Sequence, residues 1–427
     1  MESDELTEKA SIINKSSTIE VCNDPESGMT KIIDEHNLID LPDIEDDEFI
    51  ASGNGDIPPE DSVIIEQWWE QQNALERQHD SKGSVRLIEE FIEMHKRLMI
   101  HSGIEERLFS LEDELYRENR ADDYFALLLK VKEQCPGFYM QHFGYFDYSL
   151  ITYALQTGRF YPIQGYLDNF KKDPVTHVDR FSLIVDLLAW IGAEKQLKEL
   201  VETTTGPILA SDEILDDEFI LKWYFLYLYV EELATKRPVS DIIATIIDKA
   251  KMKFKDDIEP SESYIRDTVE QLLNDTVEWN VTYTLPKEQI VDFFLSLKWH
   301  LAKYLKNHRT FGWVQACSIA DNLAGYWLHY GTGKEEKNGV YLITESKLKN
   351  HMRRLEPINA ISLLQGVWYF AEFLFHHEKI DTYTKKNLQD ISVKRYDEYT
   401  RHIEPSNPIT KVITEFPKMK SFGSVQS

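Results

Sequence analysis

Glu372, His376 and His377 sit in one apolar run, and their types could hold a metal ion. On a helix, Glu372 and His376 are four apart and share a face, so a carboxylate and an imidazole could meet one ion. Di-metal carboxylate bundles use a Glu-x-x-His spacing instead, need it twice, and add two further Glu. The chain offers no such set, and imidazoles near a helix C-terminus are already favoured by its dipole. The sequence is read as carrying no metal site and no cofactor, with Glu372, His376 and His377 as the single alternative.

Other chemistry-bearing groups lack the company they need. Gly331-Thr332-Gly333-Lys334 has the look of a phosphate loop, but a helix is predicted before it where a strand belongs. Glu335 and Glu336 follow the lysine and would repel phosphate. The remaining histidines are scattered without HExxH spacing. Cys135, followed by Pro136, has no evident histidine partner and reads as a small buried hydrophobe. No Gly-x-Ser-x-Gly elbow occurs, nor a Gly-x-Gly-x-x-Gly after a strand. No catalytic residue is assigned. An enzyme with a pocket in its helical core is the rival reading, because catalytic groups converge in space rather than along the chain.

Binding is better supplied. Trp68 and Trp69 are adjacent, so on a helix about 100° separates them; one can enter the core while the other lies in a groove. Lys347, Lys349, Arg353 and Arg354 form a short basic segment suited to an acidic partner or to the chain's own N-terminus. That N-terminus is strongly acidic. Residues 1–66 hold nineteen Asp and Glu against three Lys, a net of −16 within a total of −27. A patch from Leu38 to Ile50 alternates acids with apolar residues, a composition that can fold on a partner. Asp-Asp-Glu-Phe-Ile occurs at Asp46–Ile50 and again at Asp216–Ile220. Chance accounts for the repetition; the sharper alternative is a tail that mimics the second copy and blocks a groove.

The elements that must position these groups are helices. Before residue 60 there is no sustained periodicity, and few aromatics could offset chain entropy, so residues 1–60 are expected to be disordered. From Asp61 apolar residues recur at three and four, with Ser84 and Ser240 as expected N-caps and Gly158 and Gly192 as expected stops. Phe219 to Val230 is apolar nearly all round and predicts a buried central helix. Pro405, Pro408 and Pro417 predict a loose C-terminus.

One hairpin is similar to the tetratricopeptide type. Phe146, Tyr153, Tyr166 and Pro174 match its three aromatic positions and closing proline. Leu150, Pro162 and Asn169 stand where that motif has small residues, and no second copy follows at its period. The resemblance implies αα-hairpins stacked into a superhelix, with a groove that recruits protein segments.

The expected fold is all-α: an irregular αα-superhelix of solenoid-like hairpins with a disordered acidic tail. Its parts are the tail 1–60, repeat-like hairpins over 61–205, a helical region over 206–402 continuing the same stack, and a loose tail over 403–427. The expected role is a non-catalytic scaffold or adaptor binding a protein or peptide; an effector that is secreted and binds a host protein is a further alternative. The negative balance excludes a phosphate-wrapping nucleic-acid protein and disfavours an anionic membrane surface. Three isolated cysteines and the absence of an apolar leader point to the cytoplasm.

Overall fold

Seventeen α-helices carry the described residues of the computed structural model, which are 57–157, 163–212, 214, 217–254, 261–277, 279, 286–309, 311–330, 343–403 and 412–419. The acidic tail to residue 56, Gly158, Pro162 and the Gly331–Lys334 loop lie outside them.

In chain order the elements are α1 (Pro59–Arg77), α2 (Ser81–His95), a 3₁₀ turn (Lys96–His101), α3 (Ile104–Arg117), α4 (Ala121–Gln134) and α5 (Pro136–Gln141). Then come α6 (Phe143–Thr157), α7 (Ile163–Lys172), α8 (Val178–Ile191), α9 (Glu194–Leu209), α10 (Glu218–Ala234) and α11 (Val239–Phe254). The last are α12 (Glu262–Leu273), α13 (Lys287–His308), α14 (Trp313–Tyr330), α15 (Glu345–Met352), α16 (Pro357–His376) and α17 (Thr382–Thr400). A two-stranded ladder, β1 (Ile413–Glu415) with β2 (Lys418–Met419), follows.

Local chemistry sets most helix ends. Pro opens α1, α5 and α16, where its missing N–H costs no hydrogen bond. Gly192 ends α8 in the left-handed region at φ 74°. Two expected caps are corrected. Asp80, not Ser84, caps α2, its carboxylate accepting the Gly83 N–H at 2.9 Å. Ser84 is buried one turn later, where its hydroxyl accepts from Gln72 at 2.9 Å and Arg107 at 3.1 Å. Ser240 lies inside the first turn of α11, which starts at Val239.

The helices pair into two layers. α6, α8 and α10 pack side by side in one; α7, α9 and α11 pack side by side in the other. α3 extends the first layer through Phe109 against Phe146 and through the Ser149 hydroxyl bonded to Glu112 at 3.0 Å. α10 is buried as its composition demands, with Ile220, Trp223, Phe225, Leu226, Leu228 and Tyr229 in the core.

An array in which each unit meets only its neighbours would end there. Instead α14 packs on α8 and α10, and α16 packs on α8, so the C-terminal helices fold back over the first layer. That layer is therefore the inner one. Gly366 marks a close approach of α16 to α14: a Cβ there would lie 3.1 Å from the Ile319 carbonyl oxygen and from Leu323 Cβ. Among the described residues α16 is long and apolar enough to cross a membrane, yet 78% of that window is buried inside the fold.

The Gln365 side chain, wholly buried on α16, ties three parts of the chain together. Its Oε1 accepts the Trp190 indole N–H at 2.7 Å, and its Nε2 donates to the Pro417 carbonyl at 2.8 Å. The loose C-terminus expected over 403–427 is corrected at 412–419. Val412, Ile413 and Pro417 are buried there, and Phe416 stacks on Tyr396 with ring centroids 4.6 Å apart. The physical reason is that the apolar Val412, Ile413 and Phe416 outweigh the prolines once α16 and α17 offer a surface.

Replacing Gln365 by Leu leaves a buried indole N–H and a carbonyl unpaired, at about 1–3 kcal/mol each. A fall in thermal midpoint is expected for Gln365→Leu; an unchanged midpoint would show that the bridge contributes little.

Candidate functional site

The residues singled out by sequence do not come together. Trp68 is core, 4% exposed, with its ring edge-on to Trp69 at 4.9 Å. Trp69 is half-buried, and its indole N–H donates to the Ser102 carbonyl at 2.7 Å. The basic segment lies on and just after α15, which packs on α14. There Lys347 stands 5.8 Å from the Tyr330 ring centroid, Arg354 donates to His329 at 2.9 Å, and Lys349 and Arg353 are exposed.

The alternative metal set is gathered only in part. Arg309 grips the Glu372 carboxylate, with Nε at 2.9 Å and Nη2 at 2.7 Å. His376 turns to Tyr304 and His308, whereas His377 turns to Phe373 and Trp279. Successive helical residues point about 100° apart, so the two imidazoles, with centroids 5.2 Å apart, face different neighbours. A cleft of about 750 Å³ is lined by Glu372 and His376 together with Tyr304, Arg309, Phe375 and Lys385. Among the described residues no group of three or more His, Cys, Asp or Glu is placed to hold a metal. The thiols of Cys135 and Cys317 are buried, and burial pushes Cys135 up to about 11.

A different constellation forms on the inner layer, ahead of the part that α14 and α16 cover. It draws Phe109 from α3, Tyr145 and Tyr148 from α6, and His177 and Arg180 from the start of α8. All five are half-buried. The rings of Phe109 and Tyr145 lie 4.9 Å apart, and those of Tyr145 and His177 lie 5.6 Å apart. The Arg180 guanidinium sits 4.5 Å from the Tyr145 centroid and 5.7 Å from that of Tyr148. Such cation–π contacts hold a flexible arginine over a rigid face. Arg180 Nε is buried without a hydrogen-bond partner.

The backbone makes room for this ladder at Gly144. A Cβ there would lie 2.2 Å from His177 Cβ, so only glycine lets His177 approach. The His177 ring N–H donates to the Gln141 carbonyl at 3.2 Å, which ties the imidazole to the end of α5. Farther along α8 the inner face is occupied: Asn359 donates to Asp186 at 3.2 Å, and Trp190 is bonded to Gln365. The ladder is the part left to other contacts.

Two acids flank it. Glu112 is crowded by protein although its residue is half-exposed, and burial pushes it up to about 7. The Ser149 hydroxyl and Arg180 pull the other way, and Asp113 adds to the rise. Asp147 is wholly buried and pushed up to about 6 by burial, opposed by bonds from Tyr139 and Asn169 and by Lys132. Asn169 Nδ2 donates to Asp147 at 2.8 Å, and Tyr139 supplies a second, short bond.

The sequence reading missed this site because its members are spread from residue 109 to residue 180. The signal was present in part: Phe109, Tyr145 and Arg180 each fall about 36 residues apart, near one hairpin repeat. No protein-family model matches the chain, and no curated protein or solved structure matches it.

Folding raises the Glu112 pKa, so the fold prefers its protonated form. That contribution is fully present below the ordinary value of 4.5 and is lost as pH climbs through about 7. Glu112→Gln should stabilise the protein at pH 8.5 by about 1–3 kcal/mol after discounting for solvent screening. The gain should shrink at pH 5.5. Thermal midpoints at both values check this, and an equal shift at both would rule it out.

Proposed function

We propose that this protein is a non-catalytic recognition scaffold that holds a segment of a protein partner on the ladder of Phe109, Tyr145, Tyr148 and Arg180. One observation carries the reading: successive inner helices present aromatic faces and a guanidinium in continuous contact, ahead of the stretch where the chain covers its own inner layer. Aromatic and arginine side chains are the types that concentrate binding energy at interfaces, because they offer large rigid area and charged donors. The Arg180 guanidinium, held over two rings, suits a carboxylate; the rings suit an apolar or aromatic neighbour. A groove of this kind resembles those of tetratricopeptide-like helical repeats and needs no reaction. The net charge of −27 weighs against nucleic acid and anionic membrane as the ligand. Sparse thiols, two of them buried and free, fit the cytoplasm.

Tyr145→Ala and Arg180→Ala test the reading by quantitative affinity capture from the native cell. Loss of one hot-spot side chain costs about 1–3 kcal/mol, so partners held by the wild type should fall about 10-fold or more in both variants. Circular dichroism should be unchanged, and Lys349→Glu/Arg353→Glu should keep the same partners. Equal retention of partners by Tyr145→Ala and Arg180→Ala would refute the assignment.

A further inference from the structure

We propose that the surface of residues Met94–His101 is a docking site for this chain's own acidic segment, Asp43–Ile50. The stretch Met-His-Lys-Arg-Leu-Met-Ile-His contains no acid and carries His95, Lys96, Arg97 and His101. It closes α2 and forms the 3₁₀ turn. Leu98 and Met99 point into the core, whereas Met94 is 67% exposed and Ile100 37%. Lys96, Arg97 and His101 are exposed too. The result is a surface bearing two formal cations, Lys96 and Arg97, and uncovered apolar side chains at both ends, on a chain whose net charge is −27.

Among the described residues, His95, Lys96 and His101 form no ion pair. Arg97 does, and its partner is informative. Both its Nη atoms bond the Asp61 carboxylate, at 2.8 and 2.7 Å. Asp61 lies in the first turn of α1, only four residues past the first described residue, Ile57. Asp61 is 2% exposed while the Arg97 side chain is 71% exposed, so the pair plants the start of α1 on this surface and leaves the rest of the cation run uncovered.

Ile57, where the described residues begin, is therefore four residues from an acid that this stretch already holds, Asp61. Asp43, Glu45, Asp46, Asp47 and Glu48 supply five carboxylates, and Ile44, Phe49 and Ile50 supply apolar groups for Met94 and Ile100. Six residues lie between Ile50 and Ile57, a reach of up to about 25 Å over the seven steps when extended. The six-residue turn rises only about 12 Å. The segment is thus close enough to be held at high effective concentration. The proposal is independent of the ladder: partner capture at Tyr145 and Arg180 can fail while this contact stands, and the reverse.

The test is zero-length carbodiimide cross-linking of the full chain, using an equal mixture of unlabelled and nitrogen-15-labelled protein, read by mass spectrometry. Links from Asp43–Glu48 to Lys96 are expected within one molecule. They should fall at least about five-fold near 0.5 M salt, where screening is strong. They should fall similarly in Phe49→Ser/Ile50→Ser, which keeps every charge. Three results would overturn the proposal. One is the absence of a Lys96 link, or links spread as readily to Lys82 and Lys349. Another is an undiminished yield in the double variant, which would mean charge attraction without a seated segment. The third is links found only between labelled and unlabelled copies, which would make the occupant another molecule.

Discussion

The buried amide of Gln365 has both ends in use, one on the Trp190 indole and one on the Pro417 carbonyl. A buried amide tolerates few arrangements, because each unpaired end costs as much as a lost hydrogen bond. Fixing it fixes the position of α16 against α8 and of the C-terminal ladder against α16. From this follows the division of the inner layer into a covered and an uncovered part. Gln315 reinforces it by donating to the Trp190 carbonyl at 2.9 Å, as does Glu194, which accepts the Val314 N–H at 3.3 Å.

That division gives the ladder its position. From Asp186 onward on α8, Asp186 and Trp190 are bonded by side chains of α14 and α16. Upstream, Phe109, Tyr145, Tyr148 and Arg180 contact one another, with Asp179 beside Tyr145 and Arg180. Stacking keeps the rings and guanidinium in a fixed register, so little conformational entropy remains to be lost when a ligand arrives. Glu356, at the start of α16, helps raise the pKa of Tyr148 after the larger effect of burial, placing the end of the covering helices beside the ladder's last ring. The uncovered stretch is thus bounded by α16 at one end.

Buried polar residues explain why the tetratricopeptide likeness is partial. Asn169 stands where that motif has a small residue. Here it is 5% exposed, and its amide is one of two donors to Asp147. The small contact is replaced by a hydrogen-bonded one, which keeps α6 and α7 paired at the cost of burying a carboxylate. Lys132 offsets part of that cost: it lies 5.3 Å from the Tyr139 centroid and 4.7 Å from that of Tyr166. Departures from the motif at this hairpin are coupled to one another.

Local chemistry was enough to read the helices. The apolar stripe of Phe181, Ile184, Val185 and Leu188, the stop at Gly192 and the all-apolar face of Phe219–Val230 each act within a few turns, so periodicity and capping reveal them. Ser84 shows where that reasoning fails: a hydroxyl that could cap a helix is instead drawn inward by Gln72 and Arg107, contacts 12 and 23 residues away. The helical character of the body and the acidity of the N-terminus were determined by the sequence alone. The folding back of α14 and α16, the burial of Val412 and Ile413, and the meeting of Phe109 with Arg180 were decided only by tertiary packing. They depend on which apolar faces find one another across more than a hundred residues or across several hairpins, and a one-dimensional pattern carries no record of that choice.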